Sequence, residues 1–284
     1  MITLGMATQG ETFDRLQRVL ADRGIEVVGL PVSGRVIDLA DPDWPAFDVG
    51  LVVPSRDIEG AALVAAADGS WINDRRAVQT SRNKAAVHAR LERAGLPTPP
   101  TRLVSNPVDR AAVYEAAEQL GYPVVVKPTS TTRGVGLARA PDPDTLAGIL
   151  DYIDLVQDYR ATGDKSYLLQ AFVPDARDVR AMVIEGTCVG AVERRHPDGR
   201  RWRHNVHRGA QASGVDLDDR LRGLAEEVAE TLDIDYLGVD ILVGPEGPVV
   251  GETNARPTVD AIDKYDPDVL DRLVALIQDR ARED

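Results

Sequence analysis

Apolar residues in the first 80 positions alternate between short continuous runs and a helical spacing, which predicts a small α/β unit. The runs at residues 2–5, 26–32 and 48–53 have the length and the β-branched content of buried strands. Between the first two runs, apolar residues recur at intervals of three and four from Phe13 to Leu20, as they do on one face of a helix. Strands that alternate with helices in this way form parallel sheets.

The middle of the chain continues the alternation after a proline-rich connection. Residues 81–94 predict a helix that begins at Ser81 as its N-cap and stops at Gly95, and the sequence Leu-Pro-Thr-Pro-Pro at 96–100 predicts a linker. Further helices are predicted at residues 107–120 and 146–159, and strands at residues 123–127 and 167–172.

The last third of the chain has the pattern of antiparallel hairpins followed by helices. Turn signals at Glu185-Gly186 and at residues 244–247 each separate two apolar runs. Strands are predicted at residues 179–185, 187–195, 236–243 and 248–252, and helices at residues 217–232 and from about 266 onwards. The chain is therefore predicted to have an α/β (α+β) fold, with units at residues 1–80, 81–166 and 167–284.

Composition and charge exclude several classes of protein. Of the 284 residues, 43% are hydrophobic, and no apolar stretch approaches the roughly 20 residues that a membrane span requires. The N-terminus lacks a basic region followed by an apolar run, and Cys188 is the single cysteine, so we expect a cytoplasmic protein without disulfides. The net charge of −13 argues against nonspecific binding of nucleic acid by the whole surface, and no membrane partner is expected.

Two departures from the average composition change this picture. Only four of the 33 basic residues are lysine, so the remaining lysines are candidates for positions that need a compact ammonium group. Residues 194–208 hold six arginines and one aspartate within an otherwise acidic chain. This arginine-rich segment is open to three interpretations: a solvated hairpin, a nucleic-acid patch, or the anion-binding wall of an active site.

Two further segments carry candidate chemistry. The sequence VVVKPTSTTRGVG at 124–136 places Lys127 at the end of a buried strand, followed by hydroxyl side chains and glycines that suit phosphate oxygens. A turn of three residues after Gly244 would bring Asp240 opposite Glu252, with Asn254 on the same face of the second strand. Three oxygen ligands at one end of a hairpin indicate a site for a hard cation such as Mg2+.

Read together and in this order, these segments resemble the ATP-grasp superfamily, and within it the RimK-type glutamate ligases. The resemblance runs from about residue 83 to residue 258 and includes NKAAVHARLERAGLPTP, VVVKPTSTTRGVG, LLQAFVPDARDVRAMV, YLGVDIL and GETNARP. The Arg-x-Asn-x-His-Arg-Gly sequence at 203–209 is the part that indicates the RimK-type branch. Such a fold has a small parallel domain (1–80) before two ATP-grasp subdomains (81–166 and 167–284).

The resemblance also implies roles for individual residues. Lys84 and Lys127 would hold ATP phosphates, and a loop that includes Thr131, Arg133 and Gly134 would cover them. The adenine, the ribose and the neighbouring part of the nucleotide would lie against Gln170, Phe172, Val173, Asp175 and Asp178. The catalytic residues would be Arg180, Arg203, Asn205 and Arg208. Asp240, Glu252 and Asn254 would bind two magnesium ions, with Mn2+ as an alternative metal.

The implied activity is an ATP- and Mg-dependent ligation of an amine to a carboxyl group through an acyl phosphate. L-glutamate is the expected amino acid, and the acceptor would be a protein tail or a coenzyme, or else a carrier protein of lysine or arginine biosynthesis. A homo-oligomer is expected by analogy. Two alternatives stay open on the sequence alone: an ATP-binding regulatory module without ligase activity, and a polyanion-binding protein that uses the arginine-rich segment.

Overall fold

A computed structural model shows the chain folded around three β-sheets. It describes residues 1–7, 10–32, 34–51, 57–67, 69–129, 136–157, 166–197, 210–257 and 259–283. Within those ranges, no helix combines the length and the apolar character that crossing a membrane would require.

The N-terminal sheet is parallel throughout and has the strand order β2-β1-β3-β4, which confirms the predicted α/β unit. Its second strand ends at Gly29 rather than at residue 32. The strand Ser70–Ile72 and the helix Asp57–Ala66 were not predicted, because segments this short give little periodic signal. The elements are β1 (Ile2–Met6), α1 (Glu11–Ala21), β2 (Ile25–Gly29), β3 (Val49–Leu51), α2 (Asp57–Ala66) and β4 (Ser70–Ile72).

Two consecutive helices connect this sheet to the rest of the chain, where the sequence predicted one. The helix α3 (Arg75–Arg82) contains Ser81, so the prediction that Ser81 is an N-cap was wrong. The helix α4 (Lys84–Arg93) begins after Asn83, whose side chain accepts a hydrogen bond of 3.0 Å from the backbone N–H of Ala86. Asparagine is as good an N-cap as serine, and this one breaks the run of helical residues. The predicted stop at Gly95 is confirmed by its positive φ of 77°.

The second sheet is small and antiparallel, with the strand order β5-β8-β6-β7. Its inner face packs against two helices to form a separate core that includes Val124, Val126, Leu146 and Leu169. The strands Thr101–Ser105 and Ala138–Ala140 were not predicted, and the other elements of the sheet lie where the sequence placed them to within four residues. The elements are β5 (Thr101–Ser105), α5 (Arg110–Leu120), β6 (Val124–Pro128), β7 (Ala138–Ala140), α6 (Pro143–Gln157) and β8 (Ser166–Ala171).

The third sheet is antiparallel, has the strand order β11-β10-β9-β12-β13, and carries most of the C-terminal part of the chain. Its predicted hairpins are confirmed, while the strand Gln211–Val215 was not predicted. The elements are β9 (Arg177–Ile184), β10 (Thr187–Arg195), β11 (Gln211–Val215), α7 (Asp219–Leu232), β12 (Tyr236–Gly244), β13 (Gly247–Asn254) and α8 (Val269–Arg280), with a short 3-10 turn at Ile262–Lys264.

The two faces of the third sheet form cores with different parts of the chain. One face packs against α7, α4 and residues of the N-terminal unit such as Leu30, just after β2, and Trp71 on β4. The other packs against α8 and against strand residues of the N-terminal sheet such as Leu4 and Met6. The three-unit division remains a prediction, but β8 pairs within the small sheet, so strand pairing would place the second boundary after Ala171 rather than at residue 166.

Candidate active site

One face of the small sheet carries polar side chains that the other face lacks. In β6 and β8, Val125 pairs with Gln170 and Lys127 pairs with Leu168, so these four side chains lie on the same face. The alternate residues of both strands, such as Val126, face the small sheet's own core. Lys127 and Gln170 therefore lie on the face that is not filled by α5 and α6.

Lys84 connects this face to the third sheet. It is the first residue of α4, its side chain is only 8% exposed, and its Nζ lies 3.1 Å from Oε1 of Glu252 on β13. The backbone N–H of Lys84 also donates to the carbonyl oxygen of Thr129, just beyond β6. The two predicted phosphate lysines and one predicted metal ligand thus belong to a single constellation, although they come from three distant parts of the sequence.

Burial dominates the charge state of Lys127. Desolvation, together with the positive charge of Lys84, lowers the pKa of its ammonium to about 8, although Glu252, Asp240 and Asp178 act in the opposite direction. Because desolvation destabilises a buried ammonium group, an anion beside it stabilises the charged form more than it would at an exposed lysine. Lys127 therefore has the electrostatic character expected of a phosphate ligand.

This pKa predicts a pH-dependent affinity for nucleotides. At a pH below about 8 the free protein already carries the ammonium, whereas above that value the proton must be taken up on binding, because a bound phosphate raises the pKa of Lys127. The dissociation constant of Mg-ADP should therefore increase up to about tenfold per pH unit above pH 8. Titration calorimetry in two buffers of different ionisation enthalpy would measure both the constant and the proton uptake.

Lys127→Arg supplies the control for this pH profile, because a guanidinium stays protonated throughout the range. Its binding constant should be flat between pH 7 and pH 9.5. An equally steep profile in this variant would assign the proton to another group and contradict the role of Lys127.

The hairpin of β12 and β13 brings Asp240 opposite Glu252 as predicted, but its turn differs from the predicted one. The turn has two residues, because Gly244 pairs with Gly247, and a β-bulge at Gly251 then shifts the register by one. As a result Asp240 does pair with Glu252, and Asn254 lies two residues further along the strand. The predicted pairing is confirmed, but the predicted turn of three residues was wrong.

Asp240 belongs to a charge cluster on one face of the third sheet, formed by Asp178, Arg180, Arg194 and Asp240. Arg180 and Asp240 are cross-strand partners on β9 and β12, and Asp178 and Arg194 are partners on β9 and β10. Arg180 makes a two-pronged contact with Asp240, with Nε–Oδ1 at 2.6 Å and Nη2–Oδ2 at 2.7 Å. Arg194 bridges the two carboxylates, at 3.0 Å from Asp240 and in hydrogen-bond contact with Asp178.

Burial raises the pKa of both carboxyl groups of the charge cluster, but their net pKa shifts have opposite directions. Burial raises the pKa of Asp240, but Arg180 and Arg194 outweigh it and bring the value down to about 2. Burial raises the pKa of Asp178 above its usual range, since Arg194 compensates only part of the desolvation and the charge of Asp240 adds to it. Asp240 and Glu252 face each other and would repel without a cation nearby. Three basic side chains offset part of this repulsion, because Arg180 and Arg194 contact Asp240 and Lys84 contacts Glu252.

The donor set fits a hard cation. A carboxylate offers about four lone-pair positions. The contacts with Arg180 and Arg194 use one on Oδ1 and two on Oδ2 of Asp240, which leaves Oδ1 able to bind a metal. Across the part of the chain that the structure describes, no three His, Cys, Asp or Glu side chains are grouped so that they could hold a metal ion, and the amide of Asn254 stays a prediction as the third ligand.

The residues predicted to contact the adenine and the ribose lie at the end of β8 and beyond it. Gln170 is buried, Phe172 lies against the guanidinium of Arg139 at 5.1 Å, and Val173 packs on Gly244. Asp175 has a positive φ of 50° and is exposed. These positions form a continuous connection between the small sheet and the third sheet, and their roles remain predictions.

Six predicted site residues lie outside the residues that the structure describes. They are Thr131, Arg133 and Gly134 in the phosphate loop, and Arg203, Asn205 and Arg208 in the arginine-rich segment. Of that segment, the described start contains Arg194, which is buried in the charge cluster, and Arg195, which is exposed. Cys188 is buried, and its backbone N–H donates to Glu226.

Two residues of this region were missed by sequence reasoning. Arg194 was counted only as part of a basic segment, and nothing in the local pattern distinguishes it from Arg195. His88 was not considered, although it follows Lys84 by four residues and so lies on the same side of α4. That spacing is the one signal in the sequence that points to it.

Comparison with known proteins agrees with this geometry. The family model of the RimK-like ATP-grasp domain matches residues 81–277. A probable alpha-L-glutamate ligase of Citrobacter koseri is 32% identical over 217 residues, which cover 75% of this chain and 69% of the relative. A ribosomal protein bS6–L-glutamate ligase of Escherichia fergusonii is 33% identical over 199 residues, which cover 69% of this chain and 63% of the relative.

Solved structures extend the likeness over the whole chain. A RimK domain ATP-grasp protein of Sphaerobacter thermophilus has a TM-score of 0.71 at 21% identity and covers 99% of this chain and 98% of its own. The D-alanine–D-alanine ligase of Bacillus anthracis has a TM-score of 0.73 at 16% identity and covers 100% and 98%. These structures confirm the ATP-grasp fold, and with the family match they show that the chain belongs to the RimK-like ATP-grasp family.

Proposed function

We propose that this protein adds L-glutamate to a carboxyl group of a protein acceptor. As a member of its family it is an ATP-dependent carboxylate–amine ligase that uses a divalent metal. The observation that supports this chemistry is the convergence of Lys84, Lys127, Asp240 and Glu252 where the small sheet faces the third sheet. Cations and metal-binding oxygens meet there at one place, as a polyphosphate requires.

The chemistry explains why such a site is needed. A carboxylate resists attack by an amine because it is negatively charged and has no good leaving group. ATP supplies the phosphoryl group that converts it to an acyl phosphate, from which the amine then displaces phosphate to form the amide. The protein's part is to position the reactants and to neutralise charge rather than to supply a nucleophile.

Individual residues divide this work. Lys84 and Lys127 would hold the phosphate oxygens, and Lys127 gains most because its ammonium is otherwise desolvated. Asp240, Glu252 and Asn254 would hold magnesium, which when bound neutralises the phosphates and acts as a Lewis acid. Arg180 and Arg194 keep Asp240 ionised and oriented toward that position. Arg203, Asn205 and Arg208 would contact the acceptor and the transferred phosphoryl group.

The identity of the substrates rests on two supports. Relatives that cover about two thirds of the chain are named for transfer of L-glutamate, and one group of them for transfer to ribosomal protein bS6. The arginine-rich segment would provide the cations that an acidic amino acid and an acidic protein tail require. A coenzyme tail and a carrier protein of amino-acid biosynthesis are the competing acceptors, and two magnesium ions and a homo-oligomer stay predictions.

The test combines an amino-acid panel with an acceptor panel. The protein is incubated with ATP, Mg2+ and each of the twenty amino acids, with purified bS6 or a carrier protein as acceptor. ADP release and the intact mass of the acceptor are then measured. We expect a mass gain of one or more glutamyl residues on bS6, with ADP release that depends on glutamate.

Lys127→Ala should abolish both signals, whereas Lys264→Ala, which removes a lysine that contacts Asp260 and Ala212 instead, should retain them. If glutamate were transferred to the carrier protein and not to bS6, the carrier protein would be the acceptor. ADP release that no amino acid stimulates would contradict the ligase activity.

A further inference from the structure

His88 occupies a buried position between the two predicted phosphate lysines and the adenine side of the site. It lies on α4 one turn after Lys84, and it is 6% exposed. Its ring contacts Gln170, whose side chain lies on the same sheet face as Lys127. The ring thus lies within the constellation that includes Lys84, Lys127 and Gln170.

The neighbouring hydrogen bonds determine which ring nitrogen carries the proton. Thr101 Oγ1 donates its hydrogen to the carbonyl oxygen of Pro99 at 2.7 Å, so it must accept from Gln170 Nε2 at 2.8 Å. This fixes the orientation of the Gln170 amide, with Nε2 as the donor to both neighbours. The same nitrogen lies 3.1 Å from His88 Nε2 and donates its second hydrogen to it, so His88 Nε2 must accept.

A neutral imidazole that accepts at Nε2 carries its proton at Nδ1. The ring is neutral, because burial, together with the charges of Lys127 and Lys84, lowers the pKa of His88 to about 4. Within the residues that the structure describes, His88 Nδ1 is buried and has no hydrogen-bond partner. A buried N–H without an acceptor costs about 1–3 kcal/mol, so a partner is expected from a ligand.

We propose that His88 is a nucleotide-binding residue whose Nδ1–H donates to a phosphate oxygen of the bound nucleotide. His88 lies one turn after Lys84 and contacts Gln170, which shares a sheet face with Lys127, so the ring is close to both predicted phosphate lysines. The inference rests on the proposed nucleotide site and adds to it a neutral donor, held in one tautomer by Gln170 and Thr101. A neutral donor contributes a hydrogen bond without adding a third positive charge between two lysines.

Nucleotide affinity tests the hydrogen bond. The amide nitrogen of asparagine can replace Nδ1, whereas leucine cannot, so His88→Leu should weaken Mg-ADP binding about tenfold or more, while His88→Asn stays within about threefold. Arg90→Leu on the exposed side of α4 should bind as the wild type does. Calorimetry with ADP, AMP and adenosine identifies the contacted group, since the loss should disappear with adenosine.

A spectroscopic measurement is independent of affinity. With 15N-labelled histidine, long-range 1H–15N correlation spectra should show one of the four histidines as a neutral, Nδ1-protonated tautomer that is absent in His88→Leu and shifts on addition of ADP. An Nε2-protonated tautomer, or unchanged ADP affinity in His88→Leu, would overturn this proposal and leave the proposed function intact. A wild-type protein that binds no ADP at all would instead overturn the nucleotide site itself.

Discussion

Asp240→Asn is expected to lower the rate of amide formation by about 100- to 10,000-fold, the equivalent of several kcal/mol of transition-state stabilisation. The amide keeps the size of the side chain but removes the charge that a magnesium ion would meet at the end of the hairpin. It also leaves Arg180 and Arg194 facing a neutral group. The rate of ADP release at saturating ATP, amino acid and acceptor measures this effect.

Asp219→Asn provides the matched control, because Asp219 is an exposed aspartate at the start of α7 and lies outside the site. Its rate should equal that of the wild type. An Asp240→Asn protein that is folded at the assay temperature and turns over at the wild-type rate would remove Asp240 from the metal site. A titration with Mg2+ separates the causes further, since loss of a ligand should raise the magnesium concentration required for half-maximal rate.

Arg194→Leu is expected to lower the free energy of unfolding by about 3–5 kcal/mol. The guanidinium of Arg194 is 7% exposed and is the only basic group among the described residues that contacts both Asp178 and Asp240. Its removal leaves Asp178 buried with its charge uncompensated, and the pKa of that carboxyl is already raised by burial. Urea unfolding followed by circular dichroism gives the free energy directly.

Arg195→Leu is the control, since Arg195 is the next residue on β10, is 72% exposed and contacts Glu193 at the surface. Its effect should stay within about 1 kcal/mol, as for exposed ion pairs generally. Adding Asp178→Asn to Arg194→Leu should recover part of the lost stability, because it removes the unpaired charge. Equal effects of the two arginine substitutions would show that the charge cluster does not stabilise the fold.

The helical and strand periods of the sequence predicted most of the fold because they depend on local spacing. They failed where a specific side chain overrides that spacing. Asn83 rather than Ser81 caps α4, which moves the start of the predicted helix to Lys84, beside Glu252. The bulge at Gly251 corrects the register of the metal hairpin, and no spacing rule distinguishes a two-residue turn with a bulge from a three-residue turn.

The site shows the same division. Lys127, Asp240, Glu252 and Asn254 were predicted from motifs with their own chemical character, and Lys84 from the resemblance of its segment to the family. Arg194 and His88 were not, since their importance depends on contacts between distant segments. Arg194 differs from its neighbour Arg195 only by the side of β10 on which it lies. His88 lies on a helix, and its tautomer is determined by Gln170 and Thr101, which lie on strands of the small sheet.

The sequence by itself therefore determined the class of the fold, the family and the residues with obvious chemistry, because composition, periodicity and motifs are properties of neighbouring positions. Only the tertiary structure decided which charges are buried and which partners they have. Desolvation lowers the pKa of the buried Lys127 and raises those of Asp178 and Asp240, and the charged partners decide whether that shift is outweighed, as it is for Asp240. Desolvation and charge–charge interactions depend on the groups that surround each side chain, and these groups come together only when the sheets pack against one another.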